Sequence, residues 1–124
     1  MFILVAASAI NLIALQASIA APTDAFRGCL REATAKARDE HVAPDGIDAY
    51  LRGACTVQMG TLRDALIAFR LKNGMAKKAA AEDAAMTVDD YVATPVENFK
   101  FLATTNTPSQ PTQTTTAAAR TPPK

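Results

Sequence analysis

Tryptophan is absent from these 124 residues, histidine occurs once, as His41, and cysteine twice, as Cys29 and Cys55. Serine stands only at Ser8, Ser18 and Ser109. These scarcities exclude most nucleophilic chemistry. A Ser–His–Asp or Cys–His constellation needs a nucleophile and a base brought together. Here Ser8 and Ser18 fall in an apolar leader, Ser109 falls in a polar tail, and the two cysteines are expected to be paired. There is no CxxCH for covalent haem, no glycine-rich phosphate loop and no HExxH. The chain therefore reads as a non-enzyme without a cofactor. Net charge is also in short supply, at +1, with no basic run longer than Lys77 and Lys78. Neither a long-range field nor a reading motif argues for nucleic acid.

What is abundant is alanine, at twenty-seven positions, a residue that favours helix but buries little surface. Residues 2–15 are apolar apart from Ser8 and Asn11, and Ser18, Ile19 and Ala20 put small residues at the −3 and −1 positions of a signal-peptide cleavage site. Residues 1–20 are read as a signal peptide, with a mature chain beginning at Ala21 in the periplasm or outside the cell. The alternative is an uncleaved anchor, but Asn11 and Gln16 interrupt the run short of the ~20 apolar residues of a membrane span. At the other end, residues 104–124 hold eight Thr and four Pro, with no aromatic residue and no aliphatic one larger than Ala. Such a segment cannot offset its ordering entropy and is expected to be a disordered tail. Residues 21–103 remain as the folded domain.

Residues 45–73 dominate that domain. Ile47, Leu51, Cys55, Met59, Leu62, Leu66 and Phe69 recur every three or four residues, which predicts one helix of about eight turns. A second face of small or apolar residues, including Gly53, Val57 and Gly60, suggests neighbours on several sides, hence a central post. A first helix is expected from Thr23, as N-cap, to about His41, with Phe26, Cys29, Leu30, Ala33 and Ala37 inward and Arg27, Arg31, Glu32, Arg38 and Asp39 outward. Glu32 and Lys36 form its i,i+4 pair. Pro44 breaks the chain and Asp45 caps the next helix, so the two helices form an antiparallel hairpin. Cys29 and Cys55 lie thirteen residues to either side of Val42, at the same height and on inward faces. In an exported chain this predicts a structural disulfide, worth about 3–4 kcal/mol for a loop of that length.

Beyond Asn73 and Gly74, a helix stop, residues 75–86 read as a short Ala-rich helix with Lys78 and Glu82 paired. Thr87, then Thr94 with Pro95 and Glu97, read as capping signals, which predict a further helix from Thr87 that either breaks and restarts at Thr94, the favoured reading, or runs through it with a kink. The fold class is therefore all-α: a small helical bundle built on a disulfide-linked antiparallel helical hairpin, with shorter helices packed on the far half of the post.

Candidate sites are few. Asp39, Glu40 and His41, with Asp45 and Asp48 across the turn, are the only grouping with metal-ligand residue types, and they read better as complements to helix ends. Glu82 with Asp83, and Asp89 with Asp90, are the carboxylate pairs a carboxylate-only enzyme would need. Arg52, Arg63 and Arg70 fall on one line of the post and could bind an acidic or anionic partner. Gly53 and Gly60 are expected to allow close helix packing. The leading reading is an exported interaction or structural module. The second is a small-ligand or anion binder that uses an arginine-lined face or an interhelical pocket.

Overall fold

The computed structural model describes residues 6–106, with side chains from residue 18 onward. Residues 1–5, in the segment read as a signal peptide, and residues 107–124, in the segment read as a tail, lie outside that range. Among the described residues the chain forms α1 (Ala6–Asp39), a 3-10 turn (Pro44–Gly46), α2 (Ile47–Ala54), α3 (Thr56–Lys72) and α4 (Lys77–Thr105). No strand occurs among them, so the all-α bundle expected from the sequence is the fold observed. No helix among the described residues is long and apolar enough to cross a membrane.

The α1–α2 hairpin forms where its spacing requires. Phe26, Leu30, Ala33 and Ala37 recur at four, three and four residues, and all four are buried. Ile47, Leu51 and Cys55 answer them from the other arm, each without exposed surface. The disulfide joins Cys29 to Cys55 with their Cα atoms 5.9 Å apart. Thr34 is buried beside this seam, and its hydroxyl donates to the Leu30 carbonyl at 2.6 Å, so no polar group is stranded there.

α1 begins at Ala6, not at Thr23, and Pro22 lies inside it. Proline removes one backbone donor, yet its fixed φ of about −65° is a helical value. Ile19 packs against the core, and α1 lies along α3 as well as α2. That packing carries the helix back through the residues assigned to the cleavage site. The end of α1 is a left-handed corner. His41 has φ 54°, its N–H donates to the Arg38 carbonyl at 3.1 Å, and the Val42 N–H donates to Ala37 at 2.9 Å. That is a Schellman motif with histidine in the place usually held by glycine. Asp45 does not cap α2. It sits in the 3-10 turn, and Gly46 precedes the helix without a side-chain cap.

The expected single post is two helices. Cys55, at φ −111° and ψ 24°, interrupts it. Gly53 weakens the helix just before the break. The Thr56 hydroxyl then donates to the carbonyls of Arg52, at 2.9 Å, and Gly53, at 3.0 Å, competition that bends helices. The bend shows in the register. Arg70 of α3 pairs with Asp83 of α4, and a straight antiparallel pair so aligned would set Arg52 opposite Phe101. Arg52 instead reaches Asp89, about three turns earlier. The post is also not central. Val57 is 76% exposed and Leu71 is exposed, so its second face meets solvent.

The break expected at Thr87 and the restart favoured at Thr94 do not occur; the helix runs through Thr94, the alternative there, and α4 is unbroken for 29 residues. The Thr87 hydroxyl donates back to the Asp83 carbonyl at 3.0 Å and caps nothing. Ala80, Ala84, Val88, Val92, Val96 and Phe99 are all buried, a stripe that continues through both signals. Packing along α1, α2 and α3 outweighs the one backbone hydrogen bond that Pro95 removes. Leu62 and Leu66 are buried under this helix, the cover that the sequence required of residues 75–103. The helix also extends through Thr104 and Thr105, two residues into the segment assigned to the tail.

Candidate functional site

Two of the three arginines expected on one line, Arg52 and Arg70, are ion-paired within the chain. The Arg52 guanidinium donates from Nε to Asp48 at 2.8 Å and from Nη1 to Asp89 at 2.8 Å. These hydrogen bonds to Asp48 and Asp89 favour its charged form and raise its pKa above the usual arginine value. Arg70 donates to Asp83 and lies over the Phe69 ring, 5.5 Å from its centroid. Both arginines therefore tie the bent post to α4. Arg63 alone is exposed and makes no ion pair among the described residues. Gly53 and Gly60 are not close-packing positions either, since a Cβ at each would meet nothing within 4 Å.

Members of each acidic grouping are paired in the same way. Glu40 accepts from the Tyr50 hydroxyl at 2.9 Å and pairs with Lys36 at 3.7 Å, so Lys36 pairs with Glu40 and not with Glu32. Partial burial, with the Glu40 hydrogen bond and charge, holds the Tyr50 phenol above its ordinary pKa of 10.0. Glu82 pairs with Lys78 at 3.9 Å, as its spacing required. Asp83 and Asp89 are the ends of the clamps just described. Among the described residues no three His, Cys, Asp or Glu side chains gather in a metal-binding group.

The feature that does gather unpaired charge lies between α1 and α4. A groove of about 590 Å³ runs there, open to solvent. Its α1 wall is Arg27, Leu30, Arg31, Thr34 and Arg38. Its α4 wall is Tyr91, Thr94, Pro95 and Asn98. Phe26 stands behind Tyr91 in an edge-to-face contact, with centroids 6.3 Å apart and planes at 81°, which fixes the tyrosine ring. Arg31 is laid back along its own helix, with Nη2 3.8 Å from the place a Cβ on Gly28 would occupy.

The electrostatics follow from the lining. Arg27, Arg31 and Arg38 are exposed, and none makes an ion pair among the described residues. No carboxylate lines the groove. The arginines fall at steps of four and seven along α1, a line of about 16 Å. Leu30, Tyr91 and Pro95 give it an apolar floor. Thr34, Thr94 and Asn98 add neutral polar groups. This arrangement suits a carboxylate-bearing or otherwise anionic surface with some apolar character. A second hollow of about 560 Å³ lies by the α1–α2 corner, against His41, Pro44 and Phe99, and shares Arg38 with the first.

The sequence did mark Arg27, Arg31 and Arg38 as the outer side of the first helix. It gave no sign that they edge a groove, because the opposite wall exists only if the last helix runs straight through Thr94 and Pro95. Compared with family models, curated proteins and solved structures, this chain has no match.

Proposed function

We propose that this protein is an exported, non-enzymatic interaction module that engages an acidic partner through the α1–α4 groove. The observation that carries this reading is the set of three arginines, unpaired among the described residues, along a groove without a carboxylate. Surface arginines held near one another without counter-charge repel, and an anionic partner relieves that repulsion. The Cys29–Cys55 disulfide supports the export half, since such bonds persist in oxidising compartments. Cleavage after Ala20 would leave the buried residues from Phe26 onward in place; among the residues with described side chains it would remove Ser18 and the core-packed Ile19. The groove's volume also suits the second reading, a small anionic ligand.

The test is binding of a poly-glutamate peptide, followed by fluorescence anisotropy at low and high salt. Arg27, Arg31 and Arg38 replaced together by Gln should abolish binding and leave the helical spectrum unchanged. Arg52 and Arg70 replaced together should not weaken it selectively. Binding that persists without the three groove arginines would sink the reading. Intact-mass analysis of the exported chain, beginning at Ala21, tests the processing it assumes.

A further inference from the structure

We infer that the acidic partner of this groove is a second copy of the same chain, each copy seating the outer ridge of its α4 in the α1–α4 groove of the other. The inference rests on reading the groove as an interface, and goes beyond it by naming what fills it.

The ridge is defined by what α4 does not bury. Val88, Val92, Val96 and Phe99 face the core, and Met86, Asp90, Glu97 and Phe101 fall on the side turned away from it. Two large apolar side chains stand there in solvent: Met86 is 61% exposed and Phe101 is 65% exposed. The two carboxylates are exposed as well. Asp83 and Asp89 of the same helix are committed to Arg70 and Arg52, whereas Asp90 and Glu97 make no ion pair among the described residues. α4 thus presents free negative charge with exposed apolar surface, and the groove presents free positive charge with an apolar floor.

The spacing also agrees. Asp90 and Glu97 are seven residues apart, as are Arg31 and Arg38, so each pair spans about 10.5 Å along its helix. Ala93 and Thr94, small and exposed between the two carboxylates, let a second helix approach. Ridge and groove share α4. One two-fold axis beside that helix can therefore fill both grooves at once, the self-complementary arrangement of a closed dimer. The chain's own tail is a poor occupant, since residues 107–124 contain Arg120 and Lys124 and no acidic side chain. The face around Gly53, Val57 and Gly60 is open too, but without a charge pattern to set a register.

The experiment uses the oxidised exported chain in analytical ultracentrifugation, with circular dichroism as the check on folding. The wild type should be a dimer whose dissociation constant rises with salt. Arg31→Glu with Arg38→Glu, and separately Asp90→Arg with Glu97→Arg, should each weaken the dimer by about tenfold or more. Mixing the two variants should restore association, because the mixed pair meets opposite charges in both grooves. The milder Asp90→Asn with Glu97→Gln guards against a folding defect in the reversed variant and should weaken the dimer in the same direction. A monomer at every accessible concentration overturns the inference, as does a dimer indifferent to both reversals. If the protein is monomeric yet poly-glutamate still binds through the arginines, the groove reading stands and self-association falls. If the arginines matter to neither measurement, both fall.

Discussion

The two helix corners of this molecule are closed by the same backbone device and held by different means. At the first, α1 ends on His41 at φ 54°. At the second, α3 ends on Gly74 at φ 88°, with the Gly74 N–H on the Leu71 carbonyl at 3.1 Å and the Met75 N–H on Arg70 at 3.0 Å. Both are Schellman caps. Around the first corner lie the fully buried Ala37 and Ile47, and the disulfide closes the same hairpin farther along its arms, thirteen residues from Val42 on each side. Around the second nothing is buried between Leu66 and Ala80, and the ion pair that joins the arms nearest the turn is Arg70 with Asp83. A partly exposed ion pair contributes little, on the order of 0–1 kcal/mol. A small helical protein can therefore set an identical turn directly on buried side chains, or hold it out from the core with a glycine and an ion pair. Local opening should follow that difference, with amide exchange fastest around residues 67–79.

The largest break in the comparison comes from removing the staple. Cys29→Ala with Cys55→Ala should cost about 3–4 kcal/mol in urea unfolding, the entropy of a 26-residue loop. Amide exchange at the first corner should then approach that at the second. Two titratable thiols in the denatured, non-reduced wild type would remove the contrast altogether.

Next in size is the second corner. Gly74→Ala places a Cβ at φ 88° and should cost about 1–2 kcal/mol, although the space around it is open, so the loss would be purely one of backbone conformation. Its counterpart, His41→Gly, should gain less than about 1 kcal/mol, because relief of the left-handed strain is partly offset by glycine's greater freedom when unfolded.

A smaller gain is expected at α3. Gly60→Ala should raise stability by about 0.5–1 kcal/mol, since its Cβ would enter open space within a helix. A loss there would restore the close-packing role that its spacing suggested.

The smallest effect is spectroscopic and belongs to the first corner. Tyr50 donates to Glu40, and its pKa lies above 10.0, so the neutral phenol is the form the fold favours. The stability it contributes is fully present below pH 10 and is lost as pH rises through the higher folded value. Ultraviolet titration should show this phenol ionising late, and Glu40→Ala should bring it closer to 10.

Much of this was legible in the residues. The disulfide followed from two cysteines equidistant from a turn, both on inward faces. The helical class followed from three- and four-residue spacing, and the stop at Gly74 from Asn73 and Gly74. Where reading failed, each failure had one source. Thr23, Thr87 and Thr94 carry local capping chemistry, and Pro22 and Pro95 carry a local penalty, but the helices through them are paid for by apolar stripes whose partners lie elsewhere in the chain. Gly53 and Gly60 looked like contact positions because spacing alone cannot tell an open face from a packed one. Arg52 and Arg70 looked available and are clamped to carboxylates of α4, whereas the plain outer face of α1 edges the groove.

The sequence by itself determined the helices' inward stripes and the pairing of Cys29 with Cys55, because these depend on periodicity and on two cysteines placed symmetrically about one turn. The tertiary structure decided that the post bends at Cys55, that α4 is one helix, which charges are matched within the chain and which are left along the groove. Each of those turns on contacts between segments tens of residues apart, where burial of Val88, Val92, Val96 and Phe99 outweighs what Thr94 and Pro95 prefer locally.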